Sequence, residues 1–287
     1  EKLYSGDKHE DDDAYELSTL GLPGYFTGNR DAKTVMVMLN PGISAMENDN
    51  PLKTMKSIKE LGIDFDKGED KFIDFYKEKY SKFGEHESYK VGAFDLKQAV
   101  FLSAWENTGI KATDGFPQKL IDNSGKHNNA AVITEIKSLK EKATGKVLTQ
   151  KLQLELIPYA SRKFDTHNAN LEVLMPYLET LLHEIFNADR KYIIFCSNFF
   201  ERLFKAYSKK KNKCFEIVID KKNPASESES DDVHCTLVKI TYNGQTKPAI
   251  IAHTFSNQSL TNAYEKMQKY GKQCYKNLNP YLSKENQ

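Results

Sequence analysis

The sequence predicts a three-layer α/β/α domain with a mainly parallel, roughly four-stranded sheet, an added β-hairpin and a long helical insertion after the first strand. Two observations lead to this. The run Lys33-Thr-Val-Met-Val-Met-Leu39 is nearly all apolar and stops at Asn40-Pro41-Gly42, the pattern of a parallel strand covered on both faces. Beyond it, further short apolar runs are each followed by a stretch with helical periodicity, and such β-then-α units imply right-handed crossovers in one sheet.

Composition bounds the rest. At 287 residues, 39% hydrophobic and 28% charged, the chain can bury a sizeable core, and residues 1–287 are read as one domain. Its 41 basic and 40 acidic residues nearly cancel, which excludes a general nucleic-acid coat or an anionic-membrane binder and leaves only local contacts to nucleic acid. Cys196, Cys214, Cys235 and Cys274 are far apart and form no CxxC pair, which argues against a zinc ribbon or a secreted disulfide scaffold. Reduced thiols in a cytoplasmic protein are expected. No window approaches the roughly 18 apolar residues of a membrane span, so no membrane partner is expected.

The elements follow in order. After 33–39 come helical patterns over 53–61, 70–83, 96–107 and 130–142, and residues 47–150 are read as an inserted helical subdomain or lid. A strand over 152–157 stops at Pro158, and a helix over 171–186 follows. Residues 192–196 form the next strand and lead into a helix over 199–207, which ends in the basic run Lys209 to Lys213. Residues 214–220 and 234–242 read as antiparallel strands joined by an acidic, serine-rich segment around 226–232, expected to be mobile. An Asn243-Gly244 hairpin turn feeds a strand over 249–252, and a helix from 260 to about 278 closes the chain.

Ligands of such sheets bind at the carboxyl ends of the strands, so four loops carry the candidate chemistry. In the first, Asn40-Pro41-Gly42 is turn chemistry, but Gly42 also permits close backbone approach and Asn40 can hold a water or a ligand edge. In the second, Gln153 and Glu155 share one face of an apolar strand, where a carboxylate needs a partner, such as Arg162 or Lys163, or a purpose. Ser197-Asn198 in the third reads as a helix cap. In the fourth, His253 is placed to donate to a developing negative charge, and capping accounts for the hydroxyl and amide residues after it. Trp105 and Phe101 read as core of the insertion, and Lys209 to Lys213 as a solvated helix end. His127 and His167 have no partner at metal-ligand spacing, so no metal is assigned. No Walker motif, GxGxxG or nucleophile elbow is present, and no cofactor is expected.

Taken together, 35–43 with its Asn-Pro-Gly, 154–161, and Ile250-Ile251-Ala252-His253 with its serine-containing sequel resemble the uracil-DNA glycosylase superfamily, in the branches that carry that motif. Gly28-Asn29 resembles a run in divergent bacterial relatives. The resemblance covers the strand framework at both ends and not the segment between 47 and 150. It implies an N-glycosidic hydrolase of the DNA-repair kind that flips out a nucleotide and lets water attack the sugar as the base leaves. Asn40 and His253 would be the catalytic pair, Asn40 positioning the water and His253 stabilising the departing base. Pro41, Gly42, Glu155, Tyr159, Phe255 and Ser256 would form the substrate pocket, with a nucleobase, nucleotide or DNA as partner. Met38 and Thr254 depart from the family's glycine and proline. Glu155 stands where the family has the asparagine that reads uracil, and an ionised glutamate only accepts hydrogen bonds, which points to a base other than uracil. The other class is a nucleotide- or nucleic-acid-binding protein that keeps the crevice without the reaction; a third is a protein-interaction module built on the insertion.

Overall fold

The computed structural model describes residues 2–4, 15, 17, 26–40, 93–105, 150–159, 161, 163–210, 215–224, 232–255 and 264–282. Its strands are β1 (Phe26–Gly28), β2 (Thr34–Met38), β3 (Lys151–Glu155), β4 (Tyr192–Cys196), β5 (Phe215–Pro224), β6 (Asp232–Tyr242) and β7 (Gln245–Ala252). Its helices are α1 (Ala93–Leu102), α2 (Leu171–Phe186), α3 (Phe199–Lys210) and α4 (Tyr264–Leu282). The strands form one sheet in the order β1-β3-β2-β4-β7-β6-β5.

The four central strands β3, β2, β4 and β7 are mutually parallel, and β6 and β5 continue the sheet antiparallel as the expected hairpin. Thr34–Met38 and Tyr192–Cys196 are buried at every position, as strands covered on both faces must be. Asn243 (φ 49°) and Gly244 (φ 77°) both turn left-handed between β6 and β7, the geometry that suits the twist of a two-residue hairpin. The short strand β1 pairs antiparallel with β3. The sequence pattern does not reveal it, because three residues are too few to show a period of two.

Alternate strand residues face opposite layers. Met36, Met38, Ile194, Cys196, Ile250 and Ala252 pack beneath α1 and α4 with Phe101, Trp105 and Tyr270. Val35, Val37, Leu154, Ile193, Phe195 and Ile251 pack against α2 and α3 with Leu178, Leu182, Phe200 and Phe204. The layers are therefore helix, sheet, helix. Trp105 and Phe101 are fully buried in the first of these cores. Helix α2 starts where Asn170 accepts from the Glu172 N–H at 3.1 Å, and α3 where the Ser197 hydroxyl accepts from Phe199 N–H at 3.2 Å, the cap expected there. Helix α4 approaches α1 so closely that a Cβ at Gly271 would collide with the Phe101 carbonyl oxygen.

The helical patterns at 53–61, 70–83 and 130–142 and all of the serine-rich segment 226–232 except Asp232 lie outside the described residues. Of 47–150, the described part is Gln150 and residues 93–105, which include α1.

Candidate functional site

From β2 the chain crosses to β3 on one side, and from β3 it crosses over β2 to β4 on the other. The carboxyl end of β2 is thus the point where the winding reverses, and the helices flanking such a point diverge to leave a crevice. Asn40 stands there, two residues beyond the end of β2. The parallel ladder continues past the strand ends, Leu156 N–H donating to Met38 C=O and Ile157 N–H to Leu39 C=O, each at 2.9 Å. The first two loops are therefore tied side by side.

Asn40 Nδ2 donates to Ser161 Oγ at 2.7 Å, and Ser161 Oγ donates to the Lys163 carbonyl at 2.7 Å. A hydroxyl has one proton, so with that proton committed to Lys163 it can only accept from Asn40. The amide is thereby fixed, with Nδ2 toward Ser161 and Oδ1 turned the other way. Ser161 is buried. Ser-x-Lys after a strand carries no distinctive pattern, and sequence reasoning gave Ser161 no role.

Glu155 closes β3 in register with Met38 and lies on the face covered by α1. It ends a polar ladder whose middle member, Gln153, is half-buried: the Lys151 ammonium donates to Gln98 Oε1 on α1 and, at 2.7 Å, to Gln153 Oε1, and Gln153 Nε2 donates to Glu155 Oε1 at 2.6 Å. Glu155 is 7% exposed, and its Oε2 has no hydrogen-bond partner among the described residues. Burial pushes the carboxyl up to about 8, against the smaller opposing effects of the Gln153 hydrogen bond and the Lys151 charge. Two expectations are corrected here. The described partner of Glu155 is Gln153, with Lys151 behind it, and not Lys163; Arg162 is outside the described residues. Burial favours the protonated form of the carboxyl, and a protonated carboxyl donates as well as accepts, so the reading against uracil holds only for an ionised side chain. The signal for the ladder was present as Lys151-x-Gln153-x-Glu155, a polar period of two that resembles a solvated strand face, although Lys151 and Glu155 are buried.

His253 follows Ala252, which is in register with Cys196. Its backbone N–H donates to Tyr270 Oη on α4 at 2.8 Å, and its Nδ1 lies 3.4 Å from the Thr254 carbonyl oxygen. The half-buried ring stands at the fourth loop, two strands from Asn40 and three from Glu155, about 10 and 14 Å between backbones at the usual strand spacing. Asn40 and Glu155 are thus close neighbours and His253 forms the farther wall.

Phe255 does not line the crevice. It is 1% exposed, with its ring centroid 5.0 Å from that of Phe101, because an aromatic ring beside the α1–α4 contact gains more from burial than from facing solvent. Its carbonyl receives Lys97 Nζ from α1 at 3.1 Å, so a cation absent from the sequence reading reaches this loop. Burial lowers the pKa of that ammonium. Tyr159 is half-buried against the second core. Pro41, Gly42 and Ser256 lie outside the described residues. Of the basic residues, Lys163 adjoins the crevice through its carbonyl and holds its ammonium 5.5 Å over the Tyr15 ring, whereas Lys210 pairs with Glu172. Lys211 to Lys213 are not described.

A concavity of about 630 Å³ lies at the end of the sheet opposite Asn40, lined by Gly28 to Asp31, Glu184, Asn187 and Ala188. Gly28-Asn29 belongs to this end, and Arg30 and Arg190 both pair with Glu184 there, at 3.0 and 3.4 Å. Among the described residues no group of three or more His, Cys, Asp or Glu could hold a metal ion, and no helix is long and apolar enough to cross a membrane. Comparison with protein-family models, with curated proteins and with solved structures finds no match to this chain.

Proposed function

We propose that the chain is a divergent uracil-DNA glycosylase-like protein whose crevice receives a nucleobase and hydrolyses its N-glycosidic bond. The observation that carries this reading is the fixed Asn40 amide at the point where the winding reverses. Its carbonyl oxygen is aimed by Ser161 and can hold a water by accepting one of its hydrogens. An amide takes no proton, so Asn40 orients the nucleophile without serving as a base. Glu155 faces the base from the neighbouring strand end, and His253 stands at the far wall, where charge develops on the leaving group.

Release of free base from oligonucleotides and nucleosides tests this reading, with Asn40→Ala as the control. Turnover that Asn40→Ala removes supports it, and turnover that Asn40→Ala leaves intact counts against it. The second reading, a nucleotide- or nucleic-acid-binding protein without turnover, is favoured by the absence of a carboxylate at the water position. Saturable binding of a base-bearing ligand with no product formed is its expected result.

A further inference from the structure

Helix α4 carries Lys266, Lys269, Lys272 and Lys276, and after Glu265 in its first turn it contains no acidic residue. At about 100° per residue, Lys269, Lys272 and Lys276 fall within about 60° of one another, opposite the core residues Met267, Cys274 and Leu278. These three lysines are exposed, and Lys266, at the edge of the same face, is half-buried. From Lys266 to Lys276 the row extends about 15 Å along the helix.

Surface solvation alone does not explain such a row. A solvated helix face usually mixes acids with bases, as α3 does where Lys205 pairs with Glu201 and Lys210 with Glu172 of α2. On α4, Lys269, Lys272 and Lys276 make no ion pair among the described residues. Lys269 and Lys272, and Lys272 and Lys276, are surface neighbours three and four residues apart, and like charges at that spacing destabilise a helix. Nor do the lysines answer the helix dipole, because the last turn of α4 has no basic residue. With 41 basic and 40 acidic residues in the whole chain, this is a local concentration of charge.

The row begins beside the crevice. Tyr270 Oη accepts the His253 N–H at 2.8 Å, which sets this part of α4 against the fourth loop, and Lys97 Nζ of α1 meets the same loop at the Phe255 carbonyl, 3.1 Å away. Lys266 and Lys269 stand within about one turn of Tyr270. We propose that the outer face of α4 is a docking surface for a polynucleotide, whose phosphates lie along Lys266, Lys269, Lys272 and Lys276 while one base enters the crevice.

The choice of a polynucleotide among polyanions rests on the nucleobase reading of the crevice above. Phosphates repeat at about 3.4 Å along one strand of a duplex, so a row of about 15 Å spans about four of them. A single nucleotide would engage one end of the row and leave the remaining lysines unanswered. A lipid surface fits less well, because a helix that lies on a bilayer joins its cations to an exposed apolar face. The exposed residues described on α4 are Lys269, Lys272, Lys276, Asn279 and Pro280, with no large apolar side chain among them.

The test is binding of a fluorescent, mixed-sequence single-stranded oligonucleotide to the full chain over a range of salt concentrations. The parent is compared with Lys269→Gln/Lys272→Gln/Lys276→Gln on α4 and with Lys205→Gln/Lys209→Gln/Lys210→Gln on α3, which removes the same charge from the opposite layer. The expected result is parent affinity that falls steeply with salt, and a loss of about tenfold or more at low salt in the α4 variant. The slope of log affinity against log salt should be shallower by about 2 in that variant, since each phosphate contact on a single strand contributes about 0.7. The α3 variant should stay within a few-fold of the parent. Equal losses in the two variants, no loss in the α4 variant, or no binding by the parent overturns the proposal. So does binding of phosphatidylserine-containing vesicles or of polyglutamate that the oligonucleotide fails to displace. If the α4 variant does not fold, cross-linking of the oligonucleotide to the parent decides: adducts on the α4 lysines are expected, and adducts confined to other elements overturn the proposal. Free base released in the same samples is read separately. Binding on α4 without release counts against the hydrolase and leaves the docking surface, whereas release with binding indifferent to the α4 variant overturns the docking surface and leaves the hydrolase.

Discussion

Asn40 donates its side-chain N–H to the Ser161 hydroxyl across 2.7 Å, and that bond decides which end of the amide the crevice receives. Because the Ser161 proton is committed to the Lys163 carbonyl, the arrangement cannot reverse without breaking both bonds. Ser161→Ala should therefore cost about 1–3 kcal/mol of stability, since it removes both hydrogen bonds made by the buried Ser161 hydroxyl. It should also slow base release about tenfold, as expected when a positioned group gains freedom. Ser161→Thr, which keeps the hydroxyl, should recover most of both. Denaturant unfolding and single-turnover base release measure the two effects.

Glu155 makes stability depend on pH in a definite direction. Its carboxyl rises from 4.5 to about 8 on folding, so the native state binds more protons than the unfolded chain between those values. The contribution is fully present below about 4.5 and is lost as pH rises through about 8. Glu155→Gln, which stays neutral, should lie within about 1 kcal/mol of the parent near pH 5 and exceed it by about 5 kcal/mol near pH 9, because each tenfold difference in proton affinity between the folded and unfolded chain is worth about 1.4 kcal/mol. Urea unfolding at the two pH values is the measurement. Equal stabilities at pH 9 would show that the carboxyl ionises freely in the fold.

Much of the framework was legible in the sequence, for physical reasons that the misses make plain. Residues 171–186 and 192–196 match the expected helix and strand to the residue, because their apolar spacing is unbroken and Asn170 marks the helix start. The Asn243-Gly244 turn was readable because few residue pairs adopt two left-handed conformations in succession. Asn40 and His253 stand beyond the ends of β2 and β7, the placement the strand pattern implies. Burial that depends on a distant element was not legible. Phe255 turned inward because Phe101, far away in the chain, is there to receive it. Glu155 could be identified as a carboxylate in an apolar strand, but the burial that favours its protonated form comes with α1, which no local pattern encodes.

Gly271 is the point where α4 meets the backbone of α1. Gly271→Ala would raise helix propensity by about 1 kcal/mol in isolation, yet the collision with the Phe101 carbonyl should dominate. The expected net loss is about 1–3 kcal/mol, the usual scale for overpacking. Thermal unfolding followed by circular dichroism gives the sign directly, and a stabilised variant would show that the two helices have room for a methyl group between them.

Tyr270 joins α4 to the fourth loop by accepting the His253 backbone N–H at 2.8 Å. Tyr270→Phe removes the acceptor and keeps the ring, so stability should fall by about 1–3 kcal/mol. Ligand affinity should fall with it, because His253 loses its anchor. The same variant should leave the pH dependence of stability set by Glu155 unchanged, since Glu155 stands three strands away. A displaced pH profile would show that the two walls of the crevice are coupled.

The central claim is that the carboxyl end of β2 is a nucleobase site organised by Asn40. It is tested most directly by measuring free base released by the parent chain and by Asn40→Ala from one set of purine- and pyrimidine-bearing oligonucleotides and nucleosides. The account predicts release of at least one base by the parent and a loss of about 10²-fold or more in Asn40→Ala. Equal release by the two proteins, or neither release nor saturable binding of any base, would contradict it.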